Sequence, residues 1–180
     1  MKRALSILIA LAMVLSLGMA CAQAQVTWHD SAYPTYTELV TIGYFTKEGR
    51  VIESETVSLF EDDGFGNTYG SLIYCDRDES SIEYRLGRAY ASLDTTFYVP
   101  THALQNGWDH RWDSAEIRIF GDGELLCTVS GFTAYSEPLP VSIDVSNVNF
   151  LKIEFNNTIY FYSGMTYPLV ALGNPVLVNK

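Results

Sequence analysis

Basic residues are scarce in this 180-residue chain, with 11 Lys and Arg against 21 Asp and Glu and a formal charge of −10. A surface of that sign repels phosphate backbones, which excludes nucleic acid as a partner. Catalytic signatures are missing too. No G-x-S-x-G, no H-E-x-x-H and no phosphate-binding loop occurs. The three histidines, His29, His102 and His110, fall in no triad spacing. The three cysteines form no C-x-x-C pair, so a structural zinc site has no ligands of the usual spacing. Beyond the first two dozen residues no stretch approaches the ~20 apolar residues of a transmembrane helix, and none keeps an amphipathic helical period. Internal repeats, low-complexity tracts and interdomain linkers are absent as well.

The beginning of the chain has a distinct composition. Met1-Lys2-Arg3 is a positive start, Ala4 to Leu17 is almost unbroken apolar sequence, and Ala22-Gln23-Ala24 matches an A-x-A cleavage site before Gln25. Residues 1–24 therefore read as a secretory signal peptide. Cys21 offers an alternative, the lipidated cysteine of a bacterial lipoprotein, although Gly18 stands where such a lipobox usually has Leu. The expected location is secreted or extracytoplasmic, with lipid anchoring at the cell surface as the alternative. Residues 25–180 form one domain of about 155 residues, enough for a sizeable core. Lys2 and Arg3 leave with the leader and no acid does, which makes the formal charge of that domain −12.

Period-2 alternation dominates the domain. Ile82, Tyr84 and Leu86 alternate with Glu83 and Arg85. Ala115, Ile117 and Ile119 alternate with Glu116 and Arg118. Val141, Ile143 and Val145 alternate with Ser142 and Asp144, and Leu151, Ile153 and Phe155 with Lys152 and Glu154. Such runs are strands with one face in a core and one in water. Turn signals separate them at Lys47-Glu48-Gly49, Asp63-Gly64-Phe65-Gly66-Asn67, Gly121-Asp122-Gly123 and Ser146-Asn147. The Gly-Asp-Gly joins Ala115–Phe120 to Glu124–Val129 as a tight hairpin. About eight to ten short strands in one domain predict an all-β, antiparallel β-sandwich. Cys75 and Cys127 are an even pair in an exported chain, so a disulfide is expected between them. It would close about 50 residues and contribute ~4 kcal/mol. The alternative is two small buried hydrophobes.

Several segments resemble a known family. "SIEYRLGRAYASL" (Ser81–Leu93) is similar to its strand ending in Tyr-x-Leu followed by Gly and a second Tyr. "AEIRIFGDGELLCT" (Ala115–Thr128) resembles its central hairpin. "EPLPVSIDVSNVNFLKIEF" (Glu137–Phe155) and "ALGNPVL" (Ala171–Leu177) are similar to its last strands, and "GNTY" (Gly66–Tyr69) to the segment before the first of these. Together, over about residues 66–177, they resemble the NPCBM family of novel putative carbohydrate-binding modules. The resemblance implies a galactose-binding-like jelly roll and a non-catalytic, carbohydrate-binding role. No ligand residues come with it.

The residues themselves suggest two sites. Trp108 and Trp112 flank Asp109, His110 and Arg111. If the register runs unbroken into Ala115–Ile119, both Trp share the solvent parity of Glu116 and Arg118. The pair then forms an aromatic platform for a sugar, with Asp109, His110 and Arg111 as hydrogen-bonding groups. Core-edge packing is the alternative and the commoner fate of large aromatics. The acidic, Gly-rich loop containing Asp62, Asp63 and Asn67 offers hard oxygen ligands for a structural Ca²⁺. Its alternative is a plain acidic turn. No other cofactor is expected. The function classes are, in order, a carbohydrate-binding domain, a cell-surface structural or protein-interaction sandwich, and a small glycan hydrolase for which carboxylates are numerous enough.

Overall fold

The computed structural model describes residues 35–54, 62–75, 79–101, 115–132, 136–157 and 170–180. Among the described residues eleven strands are present: β1 (Tyr36–Glu38), β2 (Thr46–Glu48), β3 (Val51–Ser54), β4 (Leu72–Cys75), β5 (Ser80–Arg85), β6 (Tyr90–Tyr98), β7 (Ala115–Gly121), β8 (Glu124–Ser130), β9 (Leu139–Asp144), β10 (Phe150–Asn157) and β11 (Ala171–Asn179). A 3₁₀ turn, Leu39–Thr41, lies between β1 and β2. The strands form two sheets, all paired antiparallel. The first has the order β3-β4-β11-β6-β9 with β1 also on β11, and the second runs β2-β5-β10-β7-β8. β3 packs over β5 and β8 lies beside β9, so the two sheets stack in matching order. The expected antiparallel sandwich is the observed fold.

Alternation places the core. Ile82, Tyr84, Ile117, Ile119, Leu151, Ile153 and Phe155 point inward from the second sheet and are buried. Ile73, Cys75, Leu93, Phe97, Leu172 and Leu177 meet them from the first. Intervening residues such as Arg85, Ser142 and Asp144 face water. Within this core Tyr84 donates a hydrogen bond from its hydroxyl to Glu53 Oε1 at 2.7 Å, tying β5 to β3. Burial, with that carboxylate beside it, pushes the Tyr84 phenol far above its ordinary range.

The β7–β8 hairpin turns through Asp122 and Gly123, with φ of 50° and 87°. Two consecutive positive φ values are the type I′ geometry that matches strand twist. The exposed Asp122 carboxylate then accepts from the backbone N–H groups of Asn149 and Phe150, which fixes the entry to β10 beside it. Those bonds hold its pKa below the usual carboxylate value.

The expected Cys75–Cys127 bridge is not formed. Cys75 ends β4 in the first sheet, while Cys127 sits in β8, the far edge strand of the second. Given the stacking order, several strand widths separate them, well beyond the ~7 Å between Cα atoms that a disulfide spans. Both pack with the apolar core, as in the alternative reading.

A second, smaller cluster lies on the outer face of the first sheet. Tyr69, Leu72, Tyr74, Tyr98 and Ala171 form it, with Ile52 packed against them. Tyr69 stacks on Tyr98, with ring centroids 3.9 Å apart and planes inclined by 20°. Gly173 makes this close approach feasible, because a Cβ there would lie 2.3 Å from the Tyr69 ring. Gly173→Ala is therefore expected to lift Tyr69 off the sheet and to cost about 1–3 kcal/mol, measured as a lower denaturation midpoint.

Candidate functional site

Residues 62–70 cross the outer face of the first sheet and are organised around one carboxylate. Asp63 is buried. Its Oδ1 accepts from the backbone N–H of Phe65 at 2.9 Å and of Asn67 at 3.0 Å. Its Oδ2 accepts from Asn67 Nδ2 at 2.9 Å and from the Tyr69 hydroxyl at 2.8 Å. The backbone closes the same loop, with Asp63 N–H donating to Asn67 C=O and Gly66 supplying a φ of 89°. Desolvation pushes the Asp63 pKa up, and the hydrogen bonds from Asn67, Tyr69 and Phe65 outweigh it, so the group titrates below the usual carboxylate range. The Tyr69 phenol moves the other way, raised by burial and by its bond to Asp63.

The calcium expectation for Asp62, Asp63 and Asn67 falls on this arrangement. The Asp63 oxygens are already occupied by four donors, and Asn67 turns its amide N–H toward Asp63 rather than an oxygen toward a shared centre. Among the described residues no group of three or more His, Cys, Asp and Glu is placed to hold a metal. The acidic loop is a turn pinned by its own carboxylate.

The pinned loop walls one side of an open groove of about 520 Å³. Phe65, Asn67, Thr68 and Tyr69 line that side. Thr96 of β6 forms the floor, and Glu137, Pro138 and Pro140 close the opposite side. Thr96 and Pro140 are direct cross-strand partners, so the floor and far wall are set by sheet register. Phe65 is 51% exposed. The groove thus presents an aromatic surface, an amide, two hydroxyls and a carboxylate in one depression.

Trp108, Asp109, His110, Arg111 and Trp112 lie outside the described residues, as does Cys21. The ends of that segment are defined. Thr101 donates its backbone N–H to the Asp62 carbonyl at 2.9 Å, and Asp63 bridges to Pro100. Residues 62–63 and 100–101 are therefore tied together. In the strand that follows, Ile117 and Ile119 are core and Glu116 and Arg118 are on the wetter face. Thr96, Glu137 and the two prolines were not legible as site residues. Their only signal was strand and turn chemistry, and their convergence is a product of register.

No family model and no curated relative matches the chain. Solved structures do. The tandem CBM51 modules of Sp3GH98, the family 98 glycoside hydrolase of Streptococcus pneumoniae, match with a TM-score of 0.62 at 9% identity, over 86% of this chain and 52% of theirs. The M60 catalytic domain with CBM51-1 and CBM51-2 of Clostridium perfringens ZmpB matches at 0.61 and 17% identity, over 81% of this chain and 15% of that one. The CBM51 of Clostridium perfringens GH95, solved in complex with methyl-galactose, matches at 0.57 and 16% identity, over 80% of this chain and all of that one. The chain thus spans only a small part of the multidomain ZmpB structure and about half of the tandem one, but the whole of the isolated GH95 module. The antiparallel β-sandwich of this chain is thus similar in fold to these CBM51 modules.

Removing the pin should loosen the groove. Asp63→Ala leaves the Tyr69 hydroxyl and two backbone N–H groups without their acceptor, an expected loss of about 2–4 kcal/mol in chemical denaturation. Because the folded pKa of Asp63 is depressed, its contribution is complete above the ordinary carboxylate pKa and is lost as pH falls through the lower folded value. Asp63→Asn should therefore flatten the acid limb of the stability curve, leaving the smaller slope from Asp122 and Asp144, whose pKa values are lowered too.

Proposed function

We propose that this domain binds carbohydrate without chemistry, at the end of the sandwich where the Asp63 loop meets β6 and β9. The observation that carries the reading is the groove itself. An apolar ring face suits the axial C–H face of a pyranose, and Asn67, Thr68, Thr96 and Glu137 surround it with donors and acceptors for sugar hydroxyls. The NPCBM resemblance of the sequence and the likeness in fold to CBM51 modules point to the same class. Trp108 and Trp112, with Asp109, His110 and Arg111, belong to this proposal as the aromatic platform and hydrogen-bonding groups that their sequence suggests. Export through the residue 1–24 leader is part of the reading. N-terminal sequencing of the mature protein separates cleavage before Gln25 from processing at Cys21.

Intrinsic Trp fluorescence and calorimetry during titration with methyl-galactose and GlcNAc, followed by a broad glycan array, test it. Binding is expected, with Phe65→Ala weakening it by roughly tenfold and Trp108→Ala or Trp112→Ala abolishing the fluorescence change. A silent array together with silent calorimetry transfers the assignment to the protein-interaction reading. One observation favours that second reading, an exposed aromatic patch away from the groove. There Tyr44 and Phe45 are 51% and 57% exposed, and Phe45 packs on Phe150 with centroids 5.1 Å apart.

A further inference from the structure

Two carboxylates shape the groove, and only one is satisfied from within. Asp63 is surrounded by four donors of its own loop. Glu137, on the opposite wall, is exposed, and among the described residues no hydrogen bond or ion pair engages it. Its backbone is stiff, because a residue before Pro is confined to extended conformations and Pro138 and Pro140 fix their own φ. Pro140 pairs with Thr96 of the floor, which ties this wall to the sheet. The charge around Glu137 is of one sign. Among the described lining residues none is Lys, Arg or His. Asp94 lies two residues from Thr96 on the same face of β6, about 7 Å along the strand. No strand of the first sheet contains Lys or Arg. Residues 55–61, 76–78 and 102–114 each contribute two acids against at most one Arg, so none of these stretches brings a net positive charge at neutral pH.

We propose that the groove selects sugars by charge, with Glu137 as the deciding residue: pyranosides bearing a free amine bind most tightly, neutral ones less so and uronates least. This rests on the groove being a sugar site. A free carboxylate accepts a hydrogen bond from any sugar hydroxyl, which alone gives no preference among sugars. An ammonium adds Coulombic attraction and a charge-assisted bond, roughly twice as strong as a neutral one. A uronate reverses the sign, and the acids around the groove add to the repulsion. Opposite charges about 4 Å apart in a water-like dielectric change affinity about fivefold, and by more where the wall is dry. The amine-bearing and carboxylated forms of one sugar should therefore fall at least about fivefold to either side of the neutral form.

A glycan array carrying gluco- and galacto-configured sugars in neutral, 2-amino and uronate forms, followed by calorimetry on the best-binding series, tests this. Mildly acidic buffer keeps the amine protonated and the carboxylates ionised. The expected order is amine, neutral, uronate. Salt at ~1 M, where the Debye length is about 3 Å, should compress the spread. Glu137→Gln keeps the side-chain shape without its charge and should compress it in the same way, while Glu137→Lys should invert the order. Glu137 is exposed, so the melting temperatures of both variants should stay near that of the parent. Glu48→Gln, on β2 of the other sheet, should leave the order unchanged. A uronate that binds as tightly as its neutral counterpart, an amine that binds no tighter, or an order that survives Glu137→Gln overturns this proposal and leaves the carbohydrate reading standing. Silence across the whole array overturns both together.

Discussion

The groove exists because one ionised carboxylate is surrounded by its own loop. Two backbone N–H groups, one amide and one phenol converge on Asp63, and no smaller or neutral side chain could accept all four. Their geometry fixes where Phe65 is exposed and where Tyr69 lies down on Tyr98. The stack in turn requires Gly173 beneath it, so three separate stretches of chain meet at this contact. Further out, the same loop holds Pro100 and Thr101 and so determines where the Trp-containing segment begins. Local chemistry at one residue thereby sets the shape of a surface built from β6, β9 and β11.

The strands were readable because burial imposes a period. Where apolar and polar residues alternate strictly, as in Ile82–Leu86 and Leu151–Phe155, the inward set is buried, and the hairpin at Asp122-Gly123 turns as its residues require. The strands before Gly66 were the faint part. They hold three or four residues each and attach singly to β11, β5 and β4, too short for alternation to register. The groove was harder still. Thr96 and Pro140 are 44 residues apart in the chain and become neighbours only through the pairing of β6 with β9. Asp63 was singled out for its oxygens, but composition alone could not say that its own backbone would claim them. The cysteine pair misled for a related reason, since an even count constrains chemistry but not which sheet each thiol enters.

Charge is divided between the layers. The strands of the first sheet contain Glu38, Glu53, Asp94 and Asp144 and no Lys or Arg. Those of the second mix signs and pair them, with Arg118 near Glu116 at 3.0 Å and Lys152 on Glu154 at 2.7 Å. Exposed pairs of this kind add little stability. They do leave the second sheet nearly neutral locally. The uncompensated acid sits on the sheet that carries the groove.

Thr35 and Asn179 are clasped, backbone to backbone at 3.1 Å and side chain to side chain at 2.6 Å. This clasp lies at the C-terminal end of β11, whereas the groove floor, Thr96, pairs with Gly173 near its N-terminal end, about 20 Å away along the strand. β11 thus sets the tie to Thr35 and the surface that carries Phe65 apart by most of its own length.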